Sequence, residues 1–278
     1  MRLSKVLTAT AFAGVMALAA TGPASAISVG GIDFPAGAVF KATNIFENVV
    51  TAEGQVLDGI GFVNNISTAG SPPLTWQNGD NGRELTFRFS GYTVEKIIPI
   101  SPVSSRILFS GGIINFYSDG AQDFSANSGN QAADVTSATN TDLSGAWLNL
   151  VGADTHTFTC DVAAGCSSGI GTTITLDSTI FFSGDLGTVV SGTGIGFLDV
   201  AGGLAGTNFD TNNQPSGQDI LLTSSFGGDQ SGTTDFPITG TADLRSTAIP
   251  EPGTLALFGF GLLGLGFAAR RRRRKLAA

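Results

Sequence analysis

Alternation of apolar and polar positions is the main signal along the middle of this chain. Leu85, Phe87 and Phe89 point one way and Thr86, Arg88 and Ser90 the other. A period of two marks a strand buried on one face. Tyr92 and Val94 carry the pattern past Gly91, where a bulge is expected. Further strands are predicted over Gln55 to Asn64, Arg106 to Tyr117, Gly145 to Val151, Thr155 to Cys160, Thr172 to Phe182, Ile195 to Val200, Ile220 to Phe226 and Thr234 to Asp243. They are punctuated by Asn78-Gly79, Asn81-Gly82, Ser118-Asp119-Gly120, Ser183-Gly184-Asp185 and Gly227-Gly228-Asp229. Such residues tolerate positive φ and reverse the chain easily. A helical reading within this stretch is confined to Gln122 to Asp134. Many short strands with regular turns predict an all-β body, a β-sandwich or jelly roll.

The two ends break the pattern. Met1 to Lys5 is basic, Val6 to Ala20 is apolar, and Ala24-Ser25-Ala26 closes the segment on small residues. These are the three parts of a secretory signal peptide, with cleavage expected at Ala24 and Ala26. The apolar run is short for a membrane span. The expected division is therefore a signal peptide over 1–26, an all-β extracytoplasmic domain over 27–245, and a tail over 246–278. A body of this length suits a single all-β domain.

Charge sharpens the division. Residues 27–248 hold six basic and 21 acidic side chains, a net charge of −15, against −8 for the whole chain. A body so acidic is repelled by nucleic acid and anionic lipid, which excludes both as partners. The basic residues Arg270 to Arg274 and Lys275 follow an apolar run directly, so they are not a nucleic-acid patch.

The tail has three pieces in order. Pro250 and Pro252 remove backbone donors around Glu251, so this segment stays out of sheets and helix interiors. Gly253 to Ala269 is uncharged and mostly apolar, at the short end of the range for a single C-terminal transmembrane helix. The arginine cluster behind it is a cytoplasmic stop by the positive-inside rule, which puts the body outside the membrane. Glycines 259, 261, 264 and 266 allow close helix approach, though glycine is also simply common in membrane helices.

This order of Pro250-Glu251-Pro252, glycine-rich apolar helix and arginine cluster resembles the PEP-CTERM sorting domain. The resemblance covers Ala248 to Lys275, with Ile249 where the family often has Val. It implies a substrate of exosortase, a membrane transpeptidase with a cysteine nucleophile, in exopolysaccharide-making Gram-negative bacteria. It further implies cleavage near Pro250, Glu251 and Pro252, after transient anchoring in the cytoplasmic membrane. The body is then expected at the cell surface or in the extracellular matrix, associated with exopolysaccharide or biofilm. Signal peptidase and the secretion machinery are the other expected partners.

The body offers little chemistry. Cys160 and Cys166 would reach an oxidising compartment, where a disulfide between them would staple a hairpin tip. Metal binding is the alternative, but His156, the one histidine, does not complete a tetrahedral site. No Ser-His-Asp set can be assembled with His156, and Gly192 to Phe197 lacks the spacing of a dinucleotide loop and reads as a turn into a strand. Glu47, Glu53, Glu84 and Glu95 are the only body glutamates, and no pattern pairs them. The expectation is a protein that is not an enzyme and has neither cofactor nor metal. An extracellular hydrolase with two facing carboxylates is an alternative. Asp210 to Gln214 with Asp219 is the acidic loop best suited to calcium, but Pro215 stands where an EF-hand has glycine, and a solvated loop explains it equally. Trp147 lies in an apolar strand and reads as core. Trp76 follows Pro72-Pro73 in a polar stretch and is the candidate carbohydrate contact, which makes a carbohydrate-binding β-sandwich another alternative.

Overall fold

The computed structural model describes residues 26–68, 71–154, 156–159, 171–228 and 236–247. Ala24, Cys160, Cys166, the Pro250-Glu251-Pro252 triplet and the expected membrane helix lie outside the described residues. Among the described residues, no helix is long and apolar enough to cross a membrane.

The strands run in chain order as β1 (Ile27–Val29), β2 (Ile32–Phe34), β3 (Ala38–Glu47), β4 (Val56–Phe62), β5 (Asn65–Thr68), β6 (Ser71–Gln77), β7 (Glu84–Ser101), β8 (Ser104–Asp119), β9 (Leu148–Gly152), β10 (Thr157–Thr159), β11 (Gly171–Thr173), β12 (Leu176–Phe182), β13 (Val189–Gly202), β14 (Ile220–Gly228) and β15 (Ile238–Ser246). Helix α1 (Gln131–Thr139), the single turn α2 (Gly206–Phe209) and a 3-10 turn at Asp80–Gly82 complete the described elements. The all-β expectation is met. The sheet, however, closes on itself. Its order is β15-β14-β13-β12-β8-β7-β4-β3, and β15 pairs back onto β3, so eight antiparallel strands form a ring. The two facing layers of the expected sandwich are thus the walls of one barrel. β9 bridges β8 and β13 beyond the end of β12, while β5 and β6 extend the sheet outward from β3.

Closure removes the raw sheet edges of the eight ring strands. It also gives the alternation its meaning: one set of side chains faces the lumen and the other faces out. Phe87, Phe89 and Phe109 are buried, whereas Lys41, Arg88, Thr193, Ser225 and Arg245 are exposed.

Two devices bend the long strands into a ring. At Gly91, Ser90 and Gly91 of β7 stand opposite the single residue Asp58 of β4. Gly91 has φ +76° and donates its N–H to the Asp58 carboxylate at 3.1 Å, which is the bulge the sequence suggests. On β4, Gly59 and Gly61 face the aromatic residues of β7. A Cβ on Gly59 would stand 2.2 Å from the Phe89 ring and 2.3 Å from the Phe46 carbonyl oxygen. The missing side chains are the space these rings occupy.

An aromatic cluster closes one end of the barrel. Phe34, Phe40, Trp147 and Phe209 meet with ring centroids 4.7–5.9 Å apart, and Phe40 reaches Phe116 at 6.1 Å. The Trp147 indole donates to the Val29 carbonyl at 2.9 Å, which ties the β1–β2 hairpin over this end. Outside the wall, α1 covers β4 and β7, and Ala138 packs with Ile60 and Phe236. The helix starts later than Gln122 because Asn127 and Gly129 take positive φ and Asn130 caps the first turn by accepting from Ala133 N–H.

Candidate functional site

The interior above the aromatic end is incompletely filled. Its cause is a line of small residues in register across adjacent strands. Ser178 of β12 pairs with Gly194 of β13, Gly194 with Ser224 of β14, Ser224 with Ala242 of β15, and Ala242 with Ala42 of β3. Phe87, Phe89, Tyr92 and Phe109 line the other wall. Small side chains on one wall and aromatic ones on the other leave a cavity of about 80 Å³.

Glu47, the last residue of β3, lines this cavity at the end away from the aromatic cluster. Alternation places it there, since Ile45 and Glu47 share the inner face of β3. It is 8% exposed, and burial pushes its carboxyl from 4.5 up to about 8, with no hydrogen bond or counter-charge among the causes. Below that value the group is neutral and can both donate and accept. Tyr92 also lines the space, and burial raises its hydroxyl pKa. Asn48 beside Glu47 is engaged elsewhere: its amide donates to Val56 O at 2.9 Å and its carbonyl accepts from Asp58 N–H.

The sites expected from the sequence fare differently. Trp76 is fully buried, which corrects its reading as an exposed carbohydrate contact. Pro72 and Pro73 do not mark a loop: they belong to β6, which has β5 as its partner at the edge of the sheet, where missing donors are tolerated. Trp76 stands opposite Ile66 on that pair and joins the core, its indole N–H without a partner among the described residues. The glycine-rich run Gly192 to Phe197 is likewise no turn but the interior of β13. His156 stacks on Phe197 at 4.2 Å, and its carbonyl accepts from Ile174 N–H. Next to it, β10 and β11 pair as the arms of a hairpin whose connection, residues 160–170, holds Cys160 and Cys166. This hairpin lies against the barrel through Phe158, over which the Arg106 guanidinium sits at 4.4 Å while it pairs with Asp177.

The glutamates do not converge. Glu53 pairs with Lys96 at 2.9 Å, which lowers its pKa, Glu95 accepts from Ser110, and Glu84 accepts from Phe124 N–H, its pKa raised mainly by burial. The acidic loop is an anchor. Asp219 accepts from Val200, Thr211 and Asn212 N–H at 2.5–2.8 Å and so holds the α2–β14 connection. Nearby, burial and repulsion by Asp219, Asp154 and Asp210 raise the Asp199 carboxyl. Among the described residues, no group of three or more His, Cys, Asp or Glu is arranged to hold a metal ion.

Fold and interior together define the class: a closed antiparallel β-barrel with an apolar lumen. The family whose model matches the chain is the PEP-CTERM protein-sorting motif, over residues 248–274. The chain therefore carries a PEP-CTERM protein-sorting motif at residues 248–274, and the motif implies export and surface sorting with an exosortase as processing partner. No curated protein and no solved structure matches the chain.

Proposed function

We propose that this is a non-enzymatic surface or matrix protein, a −15 barrel delivered by an exosortase into the exopolysaccharide outside the cell. The sorting motif at residues 248–274 carries this reading. A barrel that ends on β15 at Ser246 stands immediately before it. On this reading the apolar stretch after Gly253 holds the barrel at the cytoplasmic membrane until the chain is cut near Pro250-Glu251-Pro252. The acidic exterior then keeps the released barrel dispersed among polysaccharide chains.

The test is expression in hosts with and without the sorting enzyme, followed by intact-mass measurement of the surface product. With the enzyme the product lacks the segment after the triplet, and Pro250→Ala/Pro252→Ala retains it. An unprocessed tail in both hosts overturns the proposal. So does a cut that ignores the double substitution.

A further inference from the structure

We infer that the barrel lumen is a binding site for a small, mainly hydrocarbon molecule carrying one hydroxyl-type donor, held by its polar end at Glu47. Nothing in the sorting motif calls for such a site. It rests on three features of the body.

The first is space. The cavity of about 80 Å³ is roughly half the ~150 Å³ of an apolar cavity that admits benzene, so it suits an occupant of about four or five heavy atoms. An eight-stranded barrel is of a size whose interior is either filled by side chains or holds one small ligand. The second is the origin of that space. Ser178, Gly194, Ser224 and Ala242 lie side by side across four strands. A larger residue at any one of them would close the lumen, as Phe87 and Phe116 do from the other wall.

The third is Glu47. Glu47 is more than nine-tenths buried as a residue, among mostly apolar side chains, and it lines the cavity. A hydroxyl in the lumen gives it the partner that water gave, while the hydrocarbon remainder meets Ile45, Leu57 and Phe89. The aromatic cluster behind bars passage through the barrel, so a guest enters and leaves at the Glu47 end. A charged or strongly hydrated guest, such as a sugar, is excluded, because the lining beyond Glu47 is almost wholly apolar and every sugar hydroxyl would lose a water partner.

The experiment is a titration of the full-length protein in lipid nanodiscs with xenon and with 1-butanol, following methyl resonances of Ile45, Leu57 and Leu244. Both probes give saturable shifts in the wild type. Glu47→Leu retains xenon binding within about twofold and weakens 1-butanol about tenfold, the value of one hydrogen bond of ordinary strength. Ser224→Leu fills the lumen and abolishes both, and Ala242→Leu serves the same end should the first variant not fold. Shifts absent in the wild type, or unchanged in a filled variant, overturn the site. Equal 1-butanol affinity in wild type and Glu47→Leu overturns the role of Glu47.

Discussion

Glu47 shows how one side chain sets a property of the whole barrel. Its folded pKa is about 8 against 4.5 in an unfolded chain. The stability linked to this proton is therefore fully present below pH 4.5 and lost as pH rises through about 8. A shift of this size corresponds to a loss of about 5 kcal/mol at most, at 1.36 kcal/mol per unit. Glu47→Gln removes the proton exchange, so its stability relative to wild type should grow across that window and level off above it. Urea unfolding midpoints of both proteins between pH 4 and 9 check this, and parallel curves would contradict it. The residue is not legible in the sequence: no strand is expected over 38–47, and Ile45-Phe46-Glu47 shows no apolar/polar alternation that would set Ile45 and Glu47 on one inner face. What the sequence withholds is the closure that turns this face into a lumen. Trp76 fails in the opposite direction. Its polar neighbours and two prolines suggest exposure, but an edge strand accommodates prolines and here turns Trp76 into the core.

At the scale of elements, glycines that look like punctuation do structural work inside strands. Gly59-Ile60-Gly61-Phe62 in β4 and Gly194-Ile195-Gly196-Phe197 in β13 repeat the same four residues, and both runs are strand interior. Period-two reasoning places the first run inside an expected strand, Gln55 to Asn64, but reads Gly192 to Phe197 as a turn into a strand, because glycine carries no polarity to alternate. The missing information lies in the neighbouring strand, in Phe87 and Phe89, which are distant in sequence. Gly59→Ala should therefore cost about 1–3 kcal/mol or more, since its methyl meets both a ring and a backbone oxygen. Gly54, with no atom within 4 Å of its would-be Cβ but with φ +82°, is the control for backbone strain alone. A Gly59→Ala midpoint no lower than that of Gly54→Ala would refute the packing account. The Gly91 bulge, by contrast, was readable, because a single glycine interrupts an otherwise strict alternation.

For the whole molecule, strand content and a single body could be read from the sequence, whereas the ring could not. Closure depends on one pairing between β3 and β15, whose partners Val39 and Arg245 are about as far apart as the body allows. No local pattern announces a contact of that range. It should also decide whether the body folds at all. A chain ending at Gly228 lacks β15 and leaves β14 and β3 as bare edges, so it should lose cooperative thermal unfolding and aggregate. A chain ending at Thr247 should melt as the intact protein does. Size-exclusion chromatography and thermal melts of the two truncations test this, and a monomeric, cooperative Gly228 product would count against it. There is a consequence for timing. The strand that locks the ring is the last to emerge during export, and only Thr247, Ala248 and Ile249 separate it from Pro250. Fully extended, that tether reaches about 14 Å. With the stretch after Gly253 as the proposed anchor, the barrel would snap shut while still leashed within a few residues of the bilayer, and the blade that frees it would work in the narrow gap beneath.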